Sequence, residues 1–282
     1  MTSPPFPVPG LEGPVAFIGG GNMARSLVGG LVSRGMPASA LRVAEPVEAL
    51  RDGLSADFGV AVFESAAEAA KGAPTWLLAV KPQVMRSVCA ELETLAGAAD
   101  PLVVSIAAGI TAAQLGRWLG PGRAIVRAMP NTPALLGQGV SGLFATPAVS
   151  AAQRKAADAL LRSAGPTVWI DEEALMDAVT AVSGSGPAYV FLLAESMQAA
   201  AERQGLDAES ASLLVRQTIA GAAAMLLQSG ESPAALRARV TSPGGTTQAA
   251  IEAFQADGFE SLVDRAIDAA TRRGGELSAA NE

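Results

Sequence analysis

A glycine-rich turn between a short apolar strand and an amphipathic helix constrains this chain more than any other stretch. Val15–Ile18 is β-branched and aromatic, Gly-Gly-Gly-Asn-Met-Ala (19–24) follows at once, and residues 25–33 have the apolar periodicity of a helix. Glycines permit a tight turn and the close approach of a pyrophosphate to the helix N-terminus, and Ala24 is small enough for helix and strand to pack. Such turns also occur without a ligand, but this context favours a dinucleotide site.

Strands and helices alternate from residue 14 to residue 170. Apolar segments that are typical of strands occupy residues 15–18, 41–44, 59–62, 74–80, 102–106 and 124–127. Residues 140–144 and 167–170 are expected to form two further edge strands, separated by a helix at 151–163. The alternation predicts a doubly wound α/β domain.

The residues that follow the second and fourth strands are candidate ligand contacts, because ligands bind at the carboxyl ends of strands in such sheets. Glu45 ends the second strand, where an acidic residue binds a ribose 2′-hydroxyl and repels a 2′-phosphate. It therefore favours NAD, although Arg42 or Arg51 could still serve a phosphate and Glu45 could be an exposed loop charge. Lys81 follows the fourth strand and is one of only three lysines, against seventeen arginines. This scarcity favours a function over a solvated loop position.

The fifth and sixth strands end in segments that suit a nicotinamide ring. Ala107, Ala108 and Gly109 are small enough for the ring to lie flat against the backbone. Asn131 lies between two prolines in a rigid loop and can donate and accept hydrogen bonds at the same rim.

The chain contains no histidine and one cysteine, Cys89, among 282 residues. This composition excludes an imidazole base, a Ser-His-Asp triad, a histidine-ligated metal and a thiolate zinc cage, so no metal site is expected. Cys89 lies in a helical pattern and is expected to be a buried apolar residue. The chemistry must come from an organic cofactor or from carboxylates and hydroxyls.

The net charge of −7 gives no basic field that would favour nucleic acid or an anionic membrane. No apolar run reaches roughly 18 residues without polar interruption, so no membrane span is expected. Residues 1–13 carry four prolines without a positive charge, which predicts a flexible tail and not a signal peptide. A cytoplasmic protein follows if the source is bacterial.

After Asp171 the strand signal disappears, and residues 171–282 are expected to form an all-α domain. Helices are expected at residues 174–182, 187–203, 208–228, 233–240, 248–255 and 259–277, and the segment 183–187 breaks the first of them, with Pro187 as the first residue of the second. Several are apolar around much of their circumference, which predicts that they form much of a dimer interface.

Between two of these helices lies the break Val-Thr-Ser-Pro-Gly-Gly-Thr-Thr (240–247). Pro243 prevents helix continuation, and the following helix N-terminus presents free amides and a partial positive charge that suit a carboxylate or phosphate. A capped turn without a ligand is the alternative.

With these segments in place, the chain closely resembles the pyrroline-5-carboxylate reductase family over residues 15–277. The resemblance rests on residues 17–24, 79–83, 104–109, 127–134, 177–189 and 240–247. The last two segments, in this order and spacing, are highly specific.

The resemblance implies a Rossmann-like N-terminal domain, a C-terminal helical dimerisation domain, homodimers that associate further up to decamers, and NADPH or NADH as hydride donor. The family favours NADPH and carries small polar residues where this chain has Glu45. The implied cofactor contacts are Ile18, Gly19, Gly20, Gly21, Asn22, Met23, Glu45, Ala79, Val80, Lys81, Pro82, Ile106, Ala107, Ala108 and Asn131. The implied substrate contacts are Glu173, Ser242, Gly244, Gly245, Thr246 and Thr247.

The implied reaction is hydride transfer to the C=N carbon of 1-pyrroline-5-carboxylate, which gives L-proline. A cyclic imine is basic and can bind already protonated, so a histidine-free site mainly supplies orientation. Thr247 is the candidate catalytic residue, as a hydrogen-bond partner of the ring nitrogen, and the amides of residues 245–247 are expected to hold the carboxylate.

Two rivals remain open. A β-hydroxyacid dehydrogenase shares the two-domain plan but relies on a lysine in the first long helix of its second domain, and this chain has no lysine after Lys155. A dinucleotide-binding regulatory module without turnover would leave the 242–247 loop without a task.

Overall fold

The computed structural model of the chain describes residue 8 and residues 10–281. Its sheet has eight strands in the order β3-β2-β1-β4-β5-β6-β7-β8. The strands are β1 (Val15–Ile18), β2 (Leu41–Ala44), β3 (Ala61–Phe63), β4 (Thr75–Leu78), β5 (Leu102–Ser105), β6 (Ile125–Met129), β7 (Ser141–Ala145) and β8 (Thr167–Trp169).

Strands β1 to β6 are parallel and follow the 3-2-1-4-5-6 order of a doubly wound fold. Val15 of β1 lies opposite Leu41 on one side and Thr75 on the other. The direction of the chain connections reverses between β1 and β4, which is where such sheets bind their ligands. The Rossmann-like prediction is confirmed.

The prediction of two edge strands near residues 140–144 and 167–170 is wrong for the first of them. β7 runs antiparallel to β6 and pairs with β8 on its other side, so it is an interior strand and β8 alone forms this edge. The position of a strand in the sheet is decided by pairing with strands that are distant in the sequence, and the local apolar pattern does not indicate those partners.

Seven helices accompany the sheet. They are α1 (Asn22–Ser33), α2 (Glu48–Phe58), α3 (Ala66–Ala70), α4 (Pro82–Ala99), α5 (Ala112–Leu119), α6 (Ala151–Leu161) and α7 (Met176–Val179). Successive side chains of β1 enter different core clusters, with Val15 and Phe17 in one and Ala16 and Ile18 in the other. The sheet is thus covered on both faces, as a parallel sheet requires.

The expected flexible tail at residues 1–13 lies partly outside the described residues, which leave out 1–7 and 9. In the described part, Val8 and Leu11 are buried in the first core cluster. The tail prediction is wrong for these residues, because their apolar side chains gain more from burial than an extended segment loses in freedom.

Five helices follow α7. They are α8 (Gly186–Arg203), α9 (Ala208–Gln228), α10 (Pro233–Arg239), α11 (Thr246–Ala256) and α12 (Phe259–Ala280). The chain divides into two compact units, one ending at Ser185 and resuming at Ala270, the other comprising Gly186–Ala269. Our expected boundary at residue 170 therefore differs from this division, since α7 and the second half of α12 belong with the sheet.

The expected helix at 174–182 and the break after it take a different form. A short 3₁₀ turn (Glu173–Leu175) precedes α7, and a π-helical turn (Thr180–Gly184) leads almost directly into α8. Gly184, the last residue of this turn, packs against the end of the Met129 side chain, since a Cβ there would lie 2.4 Å from the Cε of Met129. Single π turns of this kind are frequent at functional sites.

The helices of the second unit expose large apolar side chains. Phe191, Leu192 and Leu227 are 68%, 64% and 80% exposed. By length and composition alone, α9 is also apolar enough to cross a membrane, and a single such helix is weak evidence. Its charged residues include Glu209 and Arg216.

Candidate active site

The predicted cofactor residues come together at one edge of the sheet. Gly19, Glu45, Ala79, Ile106 and Pro130 each follow directly after β1, β2, β4, β5 and β6, and the carboxyl ends of parallel strands share an edge. The turns after β1 and β4 lie side by side at the switch point.

The turn after β1 is shaped for close approach. Gly19 has a φ of +105°, and a Cβ there would lie 2.7 Å from the carbonyl oxygen of Ala79. A Cβ on Gly21, in contrast, would meet no heavy atom within 4 Å. Gly21 is the N-cap of α1 and no side chain caps this helix, so its first amides face open space. This cradle fits the pyrophosphate of a dinucleotide.

Glu45 is 8% exposed, and its carboxylate holds the turn after β1. Its Oε2 accepts a hydrogen bond from the amide of Gly20 at 2.8 Å, and its Oε1 accepts one from the amide of Val47 at 3.0 Å. Each oxygen keeps a lone pair that a ribose hydroxyl could donate to. Glu45 is therefore a buried acidic group beside the glycine turn and not an exposed loop charge.

The two arginines that could serve a 2′-phosphate differ in placement. Arg42 donates from Nη1 to the carbonyl of Lys71 at 2.5 Å. Arg51 donates from Nη1 to the carbonyls of Glu45 and Pro46, at 2.7 and 2.8 Å. Arg51 is thus the arginine that lies directly beside the loop after β2.

The segment after β4 lies against β1. The amide of Ala79 donates to the carbonyl of Ile18 at 2.8 Å, which holds the two turns together. Lys81 is exposed and is the N-cap of α4, with Pro82 as the first helical residue. Lys81 forms no salt bridge with another residue in the described part of the chain.

The loop after β5 exposes small side chains. The amide of Ile106 donates to the carbonyl of Leu78 at 3.1 Å, and the amide of Ala107 donates to Ser105 Oγ at 3.4 Å. Ala108 is exposed, and Gly109 has a φ of +71°. Residues 107–108 therefore present small apolar side chains, which a close nicotinamide contact requires.

Asn131 is 9% exposed and ties its loop to the π-helical turn. Its Nδ2 donates to the carbonyl of Ser183 at 3.0 Å, and its Oδ1 accepts from the amide of Val140 at 3.0 Å. From the sequence we interpreted Asn131 as a cofactor contact. In the structure its side chain also links two segments of the protein.

Glu173 is engaged in a similar way. Its Oε1 accepts hydrogen bonds from Arg127 Nη1 at 2.8 Å and from the amide of Ala112 at 2.7 Å. The Arg127 side chain is 9% exposed, so this ion pair is partly buried. We did not identify Arg127 as a site residue from the sequence, although a charged residue inside the apolar run of β6 is a signal that could have indicated it.

Cys89 is buried, and burial raises the pKa of its thiol to about 12. A buried thiol of this kind is inert. The buried position confirms the sequence-based interpretation. Within residues 8 and 10–281, no three His, Cys, Asp or Glu side chains are grouped to hold a metal ion.

The loop at 242–247 belongs to the second compact unit. The amide of Gly245 donates to the carbonyl of Ser242 at 3.0 Å, and the amide of Gly244 donates to Gln248 Oε1 at 2.7 Å. These two amides are occupied, so the expectation of a free Gly245 amide is wrong. α11 begins at Thr246 and not at Gln248, and no side chain caps it. The amides of Thr246 and Thr247 have no hydrogen-bond partner in the described part of the chain.

Comparison with known proteins matches both halves of the chain. Residues 173–277 match the family model described as pyrroline-5-carboxylate reductase dimerisation, and residues 14–109 match NADP oxidoreductase coenzyme F420-dependent. The pyrroline-5-carboxylate reductase of Pseudomonas aeruginosa is 54% identical over 266 residues, which are 94% of this chain and 96% of the relative. The chain belongs to the pyrroline-5-carboxylate reductase family.

Solved structures of the pyrroline-5-carboxylate reductase family share the fold. The enzyme of Coxiella burnetii is 40% identical, with a TM-score of 0.91 over 94% of this chain and 98% of that one. The Plasmodium falciparum structure, solved with NADP bound, is 28% identical, with a TM-score of 0.82 over 94% of this chain and 98% of that one.

Proposed function

We propose that the protein reduces 1-pyrroline-5-carboxylate to L-proline with a reduced nicotinamide dinucleotide, as the last step of proline biosynthesis in the cytoplasm. The observation that carries the proposal is the match to the pyrroline-5-carboxylate reductase of Pseudomonas aeruginosa over 94% of the chain, at 54% identity. The bound cofactor would supply the hydride for the C=N carbon.

The chain's part in cofactor binding begins at the turn after β1. We assign the pyrophosphate to the uncapped N-terminus of α1, at residues 19–23, because the amides and the open space beside Gly21 suit an anion. We assign the nicotinamide half to residues 79–82 and 106–108, where the small side chains of Ala79, Ala107 and Ala108 let the ring approach the backbone. Asn131 supports this rim through its two hydrogen bonds.

For the cofactor preference, we propose NADH over NADPH. Glu45 places a buried negative charge beside the turn that holds the pyrophosphate. A carboxylate there accepts a hydrogen bond from a ribose 2′-hydroxyl and repels a 2′-phosphate. Arg51 is the nearest competing charge, and its Nη1 is already held by two carbonyls.

For the substrate, we propose that the loop at 242–247 holds the carboxylate and the ring nitrogen. The uncapped α11 presents the free amides of Thr246 and Thr247 together with its positive dipole end, which suits a carboxylate. Gly244, with a φ of +70°, and Gly245 shape the turn, and Ser242 lies at its exposed start. Thr247 is our candidate partner of the ring nitrogen. We assign Glu173 to holding Arg127 and α5, because its Oε1 is committed there.

The exposed apolar faces of the second unit, which lies within the match to the dimerisation model, are proposed to bury themselves in a homodimer that can associate further, up to a decamer. This accounts for the apolar surface of α9 without a membrane or a nucleic acid partner. Light scattering of the purified protein measures the assembly.

The decisive experiment is steady-state oxidation of NADH and of NADPH with pyrroline-5-carboxylate. We expect turnover and a higher kcat/KM with NADH. Thr247→Ala should lower kcat/KM for pyrroline-5-carboxylate by about tenfold or more, which corresponds to one lost hydrogen bond to a charged group. Thr241→Ala, whose hydroxyl donates to the carbonyl of Arg237 within the same segment, is the matched control. Cofactor binding without turnover would favour the regulatory module instead.

A further inference from the structure

The end of α12 lies against the loop after β5. Gln114 Nε2 donates to the carbonyl of Ser278 at 2.9 Å, and Asn281 Nδ2 donates to the carbonyl of Gly109 at 3.2 Å and to that of Leu277 at 2.8 Å. A Cβ on Gly109 would lie 3.3 Å from the Cβ of Leu277, so the contact is close. All these residues belong to the same compact unit.

The buried side-chain amide of Gln114 forms two hydrogen bonds with different elements. It is 1% exposed, and its Oε1 accepts from the amide of Thr111 at 2.7 Å, which completes the capping box of α5. Because the acceptor is used in the cap, the Nε2 donor remains for Ser278. The start of α5 and the end of α12 are therefore fixed by the same side chain.

Hydrogen bonds hold the loop between β5 and α5 at its start, its middle and its end. Its start is fixed by the amide of Ile106, which donates to the carbonyl of Leu78 at 3.1 Å. Its end is fixed by Gln114 and by the bond from Ala112 to Glu173, and its middle carbonyl, on Gly109, is fixed by Asn281. Ala107 is half-buried and Ala108 is exposed, so these two small residues form the open side. Gly109, with its φ of +71°, is a position where the loop backbone is free to take other conformations unless a contact holds it.

We propose that the last turn of α12 is a positioning element for the nicotinamide surface at residues 107–108. Asn281 and Gln114 fix the loop from behind so that its small-residue face keeps one position against the ring. The inference rests on the proposed function, which places the nicotinamide there. The side chains of Gln114 and Asn281 and the carbonyl of Ser278 form this tether, and these three residues lie outside the two matched segments, which end at residues 109 and 277.

The test separates the two halves of the dinucleotide. Asn281→Asp and Gln114→Glu keep the shape of the side chain and replace the donor by an acceptor, and the second variant preserves the cap of α5. Gln153→Glu is the matched control, because Gln153 completes the same capping box on α6 without a tether to α12. Calorimetry measures the Kd of the reduced dinucleotide and of ADP-ribose, which lacks the nicotinamide ring, for each full-length variant.

We expect the two tether variants to bind the dinucleotide about three- to tenfold more weakly and to raise its KM by a similar factor, because each loses the one hydrogen bond with which it joins the end of α12 to residues 109–114. Their Kd for ADP-ribose should stay within about twofold, and Gln153→Glu should change neither. Equal weakening of both ligands, or unchanged dinucleotide binding in a folded Asn281→Asp variant, would overturn the proposal. If the wild-type protein does not turn over pyrroline-5-carboxylate, the proposed function is refuted. The comparison of Kd values for the dinucleotide and for ADP-ribose would still decide the role of the tether.

Discussion

Replacing Glu45 by glutamine is the sharpest test of how this chain selects its cofactor. The substitution keeps the size of the side chain and removes its charge. In the structure both carboxylate oxygens accept backbone hydrogen bonds, from Gly20 at 2.8 Å and from Val47 at 3.0 Å. A glutamine has one acceptor, so one of these amides must lose its partner.

Two magnitudes follow from this geometry. The lost hydrogen bond to a buried charged group should destabilise the folded state by about 1–3 kcal/mol. The electrostatic effect is separate: one charge and a 2′-phosphate of about −1.5 to −2, roughly 6 Å apart at an effective dielectric constant of about 40–80, repel each other by about 1–2.8 kcal/mol. Removal of the charge should therefore raise the ratio of kcat/KM for NADPH to that for NADH by about 5- to 100-fold.

The assay is the ratio of the two kcat/KM values, measured with saturating pyrroline-5-carboxylate, together with thermal unfolding of each variant. Glu48→Gln is the matched control, because Glu48 lies exposed in the first turn of α2 and carries the same charge near the same loop. Its ratio should change less than about threefold. A Glu45→Gln ratio that stays within about twofold of wild type, or a wild-type enzyme that strongly prefers NADPH, would refute the reasoning.

Three further predictions concern the same sheet. Gly21→Ala should leave the Tm within about 2 °C, because no heavy atom lies within 4 Å of the added Cβ, but it should raise the cofactor KM about tenfold by filling the pyrophosphate cradle. Gly19→Ala should instead lower the Tm by several degrees, because Gly19 has a φ of +105° and the added Cβ would collide with Ala79. Glu173→Gln should also lower the Tm, since it weakens the partly buried ion pair with Arg127. The KM for pyrroline-5-carboxylate should change less than about threefold, and a larger rise in this KM would mean that Glu173 contacts the substrate directly. In the native protein, Cys89 should resist a thiol reagent at pH 8 and react only after unfolding; a reaction of the native protein would contradict the burial of Cys89. The free energy of unfolding should fall as the pH rises from about 9 toward 12, because the thiol ionises at a lower pH in the unfolded state than in the folded state.

Elements with a strong local pattern could be predicted from the sequence. The boundaries of α9, Ala208–Gln228, agree to the residue, and β1 with its glycine turn and α1 lies where the motif indicated. Helix periodicity, glycine and proline act within a few residues, so the chain records them locally. The start of α11 was two residues late in the prediction, because Thr246 and Thr247 are poor helix formers that a helix N-terminus nevertheless accepts.

Features that depend on distant partners could not be predicted in this way. The interior position of β7 depends on its pairing with β6 and β8, and the π-helical turn is tied to the distant Asn131 through the carbonyl of Ser183. The roles of polar side chains changed for the same reason. Glu173 and Asn131 were expected to contact ligands, and in the structure Glu173 Oε1 and Asn131 Oδ1 accept hydrogen bonds from the protein itself.

The sequence by itself determined the doubly wound domain, the dinucleotide turn, the helical second half and, through its motifs, the family. Those properties follow from residue types within short windows. Only the tertiary structure decided which donors and acceptors remain free for a ligand, because that depends on contacts between segments far apart in the chain. The carboxylate of Glu45 accepts a hydrogen bond from the turn after β1, and the amide of Gly245 donates to the carbonyl of Ser242. The side chain of Asn281 donates to the carbonyl of Gly109, which lies 172 residues earlier in the chain. A hydrogen-bonding group can bind a ligand only when the fold leaves one of its donor hydrogens or lone pairs unused.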